Sequence, residues 1–90
     1  VPGAFEIPLV AAKMAKRVRK ALGSDIGVGI TGWAGPDGGD VGLVFVALAS
    51  RSGCFVRRLQ CGHAPRPRIR LIAASNALDM IRRYLTGLDV

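Results

Sequence analysis

A glycine-rich stretch from Thr31 to Asp40 most constrains what this chain can fold into, because it separates two β-like segments. Ile26, Val28 and Ile30 alternate with glycines before it, and the segment from Val41 to Ala49 after it is almost wholly apolar. Both segments are typical of buried strands, so the stretch is predicted to be a loop between two strands. Glycines permit positive φ angles and a close approach of backbone N–H groups to an anion or a carbonyl oxygen. The spacing fits neither an ATP-binding loop nor a dinucleotide fingerprint, and a connection without any ligand stays an open alternative.

Two amphipathic helices are predicted, one before and one after the β-like segments. The first spans residues 7–22, with Pro8 in its first turn and Gly23 after its end. The second opens at Pro67 and stops at Gly87. We expect the apolar stripe of each helix to face the core. The first stripe comprises Ile7, Val10, Met14, Val18, Ala21 and Leu22, and the second comprises Ile69, Ile72, Ala73, Asn76, Ala77, Met80 and Tyr84.

Three strands are predicted between the helices. They cover residues 26–31, 41–49 and 54–61. The connection over residues 50–53 ends in glycine, which favours a hairpin between the second and third strands. The charged pair Arg57 and Arg58 predicts that the third strand is a solvated edge strand. The order α-β-β-β-α predicts one small layered α/β domain over residues 1–90, with a mixed sheet that another chain would complete.

The length of 90 residues is near the lower limit for an independent core, which favours a homo-oligomer, including one that exchanges strands or segments. Cys54 and Cys61 would lie about 23 Å apart on one strand and cannot bridge each other. Two reduced thiols and no metal-ligand motif predict a cytoplasmic protein without a bound metal. No apolar run reaches the length of a membrane span. The start, Val1-Pro2-Gly3, lacks signal-peptide features and an initiator methionine, as in a processed, fragmentary or engineered protein.

A net charge of +7 favours an anionic partner. The basic residues of the first helix are interpreted as a solvated face, with nucleic acid as a less favoured partner. Arg66, Arg68 and Arg70 bunch where the last helix starts, and both phosphate binding and a solvated cluster stay open there. The sole histidine, His63, is interpreted as a loop residue rather than a catalytic base. Asn76 is interpreted as a hydrogen-bonded amide on the apolar stripe rather than a ligand contact.

The motif I-T-G-W-A-G-P-D-G-G, from Ile30 to Gly39, and the apolar strand after it resemble the C-terminal domain of the CinA (competence/damage-inducible) family. The family's T-G-x-A-G-P-x-G-G loop matches in full. Gly62, Arg66, Ile69, Arg70 and Ala77-Leu78 fit its closing R-x-x-I-R helix. The resemblance covers about residues 21–86.

The resemblance implies an amidohydrolase that releases ammonia from the carboxamide of nicotinamide mononucleotide, without a metal or an organic cofactor. It implies a pocket in which Thr31, Gly32 and Gly35 supply oxyanion donors while Arg66 and Arg70 hold the phosphate. The substrate-binding residues so implied are Thr31, Gly32, Ala34, Gly35, Gly38, Gly39, Arg66 and Arg70.

The sequence departs from the family in its nucleophile. The family's serine lies in an E-S-C-T-G-G-like motif, which these residues do not contain, so no catalytic residue is assigned. The serines that are present, Ser24, Ser50, Ser52 and Ser75, occur in other contexts. Asp40 stands where the family carries several more residues, which shortens the loop.

The beginning of the chain, residues 1–16, resembles the G-A-x-E-[IL]-P turn and following helix of lumazine synthase, with residues 17–90 as the CinA-like segment. Two resemblances in one chain predict a chimeric or fragment-derived domain, with a divergent natural CinA-type domain as the competing interpretation. We expect such a domain to fold and self-associate, with a phosphate- or nucleotide-binding loop but no independent catalysis. The alternatives are a CinA-type amidohydrolase that deamidates nicotinamide mononucleotide to nicotinate mononucleotide, and non-specific nucleic-acid binding.

Overall fold

The computed structural model describes residues 7–33 and 42–90, which form two helices and three strands. The elements are α1 (Ile7–Leu22), β1 (Ile26–Trp33), β2 (Leu43–Ser50), β3 (Gly53–Gln60) and α2 (Arg66–Leu85). The predicted α-β-β-β-α order is therefore confirmed. The bounds of α1 match the prediction, and the other element ends differ from it by no more than two residues.

The three strands form one sheet in the order β1-β2-β3. β1 runs antiparallel to β2, with Ile26 opposite Ser50 and Trp33 opposite Leu43. β2 runs antiparallel to β3, with Ser50 opposite Gly53. The prediction of a mixed sheet is wrong for these strands, because neighbours joined directly in sequence pair as antiparallel ribbons. Within the described residues, β1 and β3 are the two edges, and completion of the sheet by another chain stays a prediction.

The core has two halves, one on each face of β2, and this central strand is buried over its whole length. On one face, Ala11 and Ala15 of α1 pack against Leu43, Phe45, Ala47 and Ala49. On the other face, Ala73, Ala77 and Met80 of α2 pack against Val44, Val46 and Leu48. Alternate side chains of β2 thus face α1 and α2 in turn. Because both faces of the strand are buried, its residues are continuously apolar.

The predicted core-facing stripe of the first helix is wrong. Ala11 and Ala15 are fully buried, whereas Met14 is 42% exposed and Leu22 is 75% exposed. The cause lies in the strand beneath, because a Cβ added at Gly29 would lie 2.6 Å from the carbonyl oxygen of Ala11. The helix therefore approaches the glycines of β1 so closely that its backbone at Ala11 and Ala15 lies on the strand, and the larger apolar side chains of the predicted stripe stay exposed. The exposed or partly exposed residues of the predicted stripe are Val10, Met14, Val18, Ala21 and Leu22.

The predicted stripe of the second helix is confirmed at its centre. Ala73, Ala77 and Met80 are buried, and Ile69 and Tyr84 are partly buried against the same core. α2 ends where Gly87 takes a φ of 77°, a left-handed conformation that glycine adopts without strain. Across the described ranges, the helices are too short or too polar to cross a membrane.

Candidate functional site

The groups that border the glycine-rich stretch lie at one end of the sheet. Antiparallel pairing places the end of β1, the start of β2 and the end of β3 side by side. The N–H of Cys61 donates a hydrogen bond to the carbonyl oxygen of Gly42 at 2.9 Å. Gly42 and Gly62 both take positive φ angles, of 81° and 62°. The return from the glycine-rich stretch is therefore tied to the turn that leads into α2.

The predicted site residues fall into two groups. Thr31 is half-buried and Gly32 is exposed near the end of β1, while Arg66 and Arg70 are exposed in the first turns of α2. The end of β1 and the start of α2 lie at the same end of the sheet. That these four residues line one site stays a prediction. Ala34, Gly35, Gly38 and Gly39 lie outside the described residues.

Thr31 and Gly32 nevertheless face different layers. Thr31 is opposite Phe45, whose side chain packs against α1, and Gly32 is opposite Val44, whose side chain packs against α2. Directly paired residues of antiparallel strands point to the same face of the sheet. The open backbone at Gly32, rather than the hydroxyl of Thr31, is therefore on the face that α2 covers. Sequence spacing alone did not separate these two positions.

The start of α2 combines backbone donors with positive charge. The residue before the helix, Pro65, makes no side-chain capping hydrogen bond, and the first turn holds no acidic residue. Unpaired N–H groups at a helix start attract anions. Arg66, Arg68 and Arg70 are exposed there, and within residues 7–33 and 42–90 every ion pair is made by Asp79 instead. An anion at this position would find arginines with no competing carboxylate among the described contacts.

A second polar cluster joins β3 to the middle of α2. Arg57 donates hydrogen bonds to Asn76 and to Asp79, each at 3.0 Å. Arg82 and Arg83 contact the same carboxylate at 3.0 and 3.1 Å. Hydrogen bonds from Arg82 and then Arg57 lower the pKa of Asp79 from 3.8 to about 2. This cluster clamps the helix to the sheet and is distant in sequence from the glycine-rich stretch.

Sequence reasoning missed the clamp, because it interpreted Arg57 only as a charge that protects an edge strand. The interpretation of Asn76 as a hydrogen-bonded amide is confirmed, since its amide donates to the carbonyl oxygen of Ile72 at 2.9 Å. A lone acid in a basic helix is the signal that could have pointed to Asp79.

The serine hydroxyls of the turns have structural partners. Ser50 is buried, and its hydroxyl donates to the carbonyl oxygen of Gly53 at 3.1 Å. Hydrogen bonds with Ser52 and Ser50 lower the pKa of Tyr84 below its ordinary value of 10.0. Ser24 donates to the carbonyl oxygen of Ile26 at 2.9 Å. Ser50 and Ser52 lie at the turn between β2 and β3, at the opposite end of the sheet from Gly32.

Two further expectations concern single residues. Cys54 and Cys61 are free thiols that pack on opposite halves of the core, in agreement with the prediction that they do not bridge each other. His63 is exposed in the loop before α2. Among the residues that the structure describes, no cluster of three or more histidine, cysteine or acidic side chains could hold a metal ion.

The basic residues of α1 are mostly solvated, as expected. Lys13, Lys16, Arg17 and Lys20 are exposed, and Arg19 is half-buried with a hydrogen bond to the carbonyl oxygen of Asp25 at 3.1 Å. Nucleic-acid binding by this face stays a prediction.

The sheet packed between two helices defines a small three-layer α/β domain. The chain belongs to the CinA C-terminal domain family, whose model matches residues 7–85. The structure is similar to that of a competence-damaged protein (CinA) superfamily protein from Enterobacter cloacae, with a TM-score of 0.68 and 18% identity over 89% of this chain and 50% of that one.

Related sequences agree with this assignment. A CinA-like protein from Desulfovibrio desulfuricans is 47% identical over 92% of this chain. A putative competence-damage inducible protein from Acetivibrio thermocellus is 50% identical over 87% of it. The chain spans about a fifth of the length of these relatives, 21% and 20% respectively.

The comparisons do not support the chimeric interpretation. The CinA match begins at residue 7, inside the segment that resembles lumazine synthase, and it includes all of α1. One family accounts for both helices and all three strands.

Proposed function

We propose that this domain binds nicotinamide mononucleotide through its phosphate and thereby takes part in CinA-type deamidation of that nucleotide to nicotinate mononucleotide. The observation that carries the proposal is the junction of Gly42, which follows the glycine-rich stretch in sequence, with Cys61 and Gly62, which precede α2. Membership of the CinA C-terminal domain family supports the choice of substrate.

The chemistry of the sheet end suits a phosphate monoester. Arg66 and Arg70 are four residues apart, so they project from neighbouring turns of one helix side. Guanidinium groups bind phosphate oxygens through charge-assisted hydrogen bonds. The backbone N–H groups at the start of the helix add to the positive electrostatic potential there. Gly32 leaves open backbone at the same end of the sheet, because an added Cβ there would meet nothing closer than the carbonyl oxygen of Leu43 at 3.9 Å. A flat ring or a sugar could therefore lie against the strand end.

Amide hydrolysis needs two groups besides a binding site. A nucleophile attacks the carboxamide carbon, and N–H donors stabilise the oxyanion that forms before ammonia leaves. Backbone N–H groups of the glycine-rich stretch are the proposed donors. The serine motif of the family does not occur in these 90 residues, so binding and orientation of the nucleotide are the part that we propose for them.

Calorimetric titration of the chain with nicotinamide mononucleotide and with nicotinamide riboside, which lacks the phosphate, tests the proposal. We expect the mononucleotide to bind at least tenfold more tightly, because one hydrogen bond to a charged group contributes about 1.5–3 kcal/mol. The double variant Arg66→Ala/Arg70→Ala should remove that preference.

The matched control is Lys16→Ala/Arg17→Ala, which removes the same charge from exposed positions of α1. It should retain the preference for the mononucleotide. Equal binding of the riboside, or an equal loss in both double variants, would show that general electrostatic attraction rather than a phosphate site is responsible.

A further inference from the structure

The segment that follows α2 leaves the helix through a hydrogen-bonded turn. The N–H of Gly87 donates to the carbonyl oxygen of Tyr84 at 3.3 Å, and the N–H of Leu88 donates to that of Arg83 at 2.8 Å. These two bonds form a Schellman motif, in which a left-handed glycine redirects the chain at the end of a helix. Gly87 has the required φ of 77°. The residues that follow it therefore do not continue the axis of α2.

Two arginines from different elements hold these residues. Arg83 of α2 donates through Nη1 to the carbonyl oxygen of Asp89 at 3.2 Å. Arg57 of β3 donates through Nη2 to the carbonyl oxygen of Val90 at 3.4 Å. Val90 is also partly buried against the half of the core that lies between the sheet and α2. Residues 88–90, called the strap below, therefore bridge β3 and α2.

The same two arginines are fixed by one carboxylate. Arg57 binds Oδ2 of Asp79 through Nη1 at 3.0 Å, and Arg83 binds the same oxygen through Nε at 3.1 Å. A guanidinium group is planar and rigid, so a hydrogen bond from one of its nitrogens fixes the direction of the others. The two nitrogens that reach the strap are thereby oriented by Asp79.

We propose that residues 88–90 are a strap that closes over the junction of β3 and α2, and that the carboxylate of Asp79 holds this strap closed. Asp79 is a positioning residue, because it acts through the guanidinium groups of Arg57 and Arg83. This device does not depend on the nucleotide-binding function proposed above.

The energetics of arginine ordering support this role. A long side chain that reaches only one carbonyl oxygen loses conformational entropy comparable to what the hydrogen bond contributes, so the strap carbonyls alone would not hold the two arginines in place. The charge-assisted bonds to Asp79 are stronger and order both guanidinium groups beforehand. Removal of the carboxylate is therefore expected to release the strap and to uncover the part of the core that Val90 contacts.

Backbone ¹⁵N relaxation of the 90-residue chain tests the proposal through the order parameters of Asp89 and Val90. Rigid backbone gives an order parameter of about 0.85, and flexible backbone gives less than about 0.6. We expect values near the rigid limit in the parent and below about 0.6 in Asp79→Ala, with unchanged amide shifts in β1 and α1 as the sign that the fold is retained. A mobile strap in the parent, or an equally rigid strap in Asp79→Ala, would overturn the proposal.

Arg82→Ala is the matched control. Within residues 7–33 and 42–90, the side chain of Arg82 donates only to Oδ1 of Asp79, at 3.0 Å, so this variant removes a bond to the same carboxylate without removing a strap contact. The strap should remain as rigid as in the parent. A loss of order equal to that in Asp79→Ala would assign the effect to general loosening of α2 and would contradict the proposal.

Two variants that conserve charge repeat the test without removing Asp79, in case Asp79→Ala does not fold. Arg83→Lys replaces a planar fork by a compact ammonium group, which does not span Asp79 and the carbonyl oxygen of Asp89 as the guanidinium does. It should lower the order parameter of Asp89, whereas Arg82→Lys should leave it unchanged. Equal order parameters in the two lysine variants would overturn the proposal.

Discussion

Gly42 lies directly against Gly62, so a Cβ added at Gly42 would collide with the Gly62 backbone and come within 2.7 Å of its nitrogen. Gly42 also has a φ of 81°. Gly42→Ala therefore combines a left-handed strain with a backbone clash, and we expect it to lower the free energy of unfolding by at least about 2 kcal/mol. Urea denaturation followed by circular dichroism measures the change.

Gly23→Ala is the control that isolates the strain of a left-handed residue from the collision of a new methyl group with the backbone. Gly23 has a φ of 61°, but an added Cβ there would meet nothing within 4 Å. This variant should cost about 1 kcal/mol, the usual cost of a left-handed non-glycine residue. Equal losses of unfolding free energy in the two variants would mean that the collision with Gly62 adds nothing to the cost of Gly42→Ala.

The close approach of α1 to β1 gives a second prediction. Gly29→Ala should lower the unfolding free energy by about 2 kcal/mol or more, because the new methyl group would lie 2.6 Å from the carbonyl oxygen of Ala11 and 2.9 Å from the Cβ of Met14. Gly32→Ala, in the same strand, meets only an atom at 3.9 Å and should change stability by less than about 1 kcal/mol. Thermal unfolding of the two variants checks this difference, and a larger loss for Gly32→Ala would contradict the packing described here.

The clamp at Asp79 predicts an acid-dependent loss of stability. Its pKa is about 2 in the folded state, below the ordinary 3.8, so the unfolded chain binds the proton more readily. The contribution of Asp79 is therefore present above about pH 3.8 and disappears as the pH falls towards 2. Unfolding free energies measured between pH 2 and 6 should decline less on acidification in Asp79→Asn than in the parent. Asp25→Asn, at an exposed position, should decline like the parent.

Sequence reasoning located the helices and strands because proline and glycine mark their ends and apolar periodicity marks their interiors. It failed at the orientation of α1, since the wheel of that helix favours Val10, Met14 and Val18 while the partner strand exposes glycine backbone. Helix periodicity alone does not show what lies underneath. The Arg57–Asp79 contact was equally unpredictable from the sequence, because the tertiary fold brings together residues that are 22 apart in the chain.

The candidate site was predictable in part. The glycine-rich motif and the arginines of the last helix were singled out from the sequence. The antiparallel strand connections place the end of β1 and the start of α2 at one end of the sheet. The sides to which Thr31 and Gly32 point were not, because a shift of one residue in register exchanges the two faces of a strand. Register is set by the pairing with β2, which a single sequence does not reveal.

The only tyrosine of the chain offers a spectroscopic test of the turn between β2 and β3. Hydrogen bonds with the hydroxyls of Ser52 and Ser50 stabilise the phenolate of Tyr84 and lower its pKa below 10.0. Ultraviolet titration of the phenolate should give an apparent pKa below that value in the parent. Ser52→Ala should raise this pKa towards the ordinary value, since Ser52 makes the largest contribution. Ser75→Ala, on the exposed side of α2, should leave the titration unchanged, and a pKa that does not respond to Ser52→Ala would rule out the proposed contact between the turn and the end of α2.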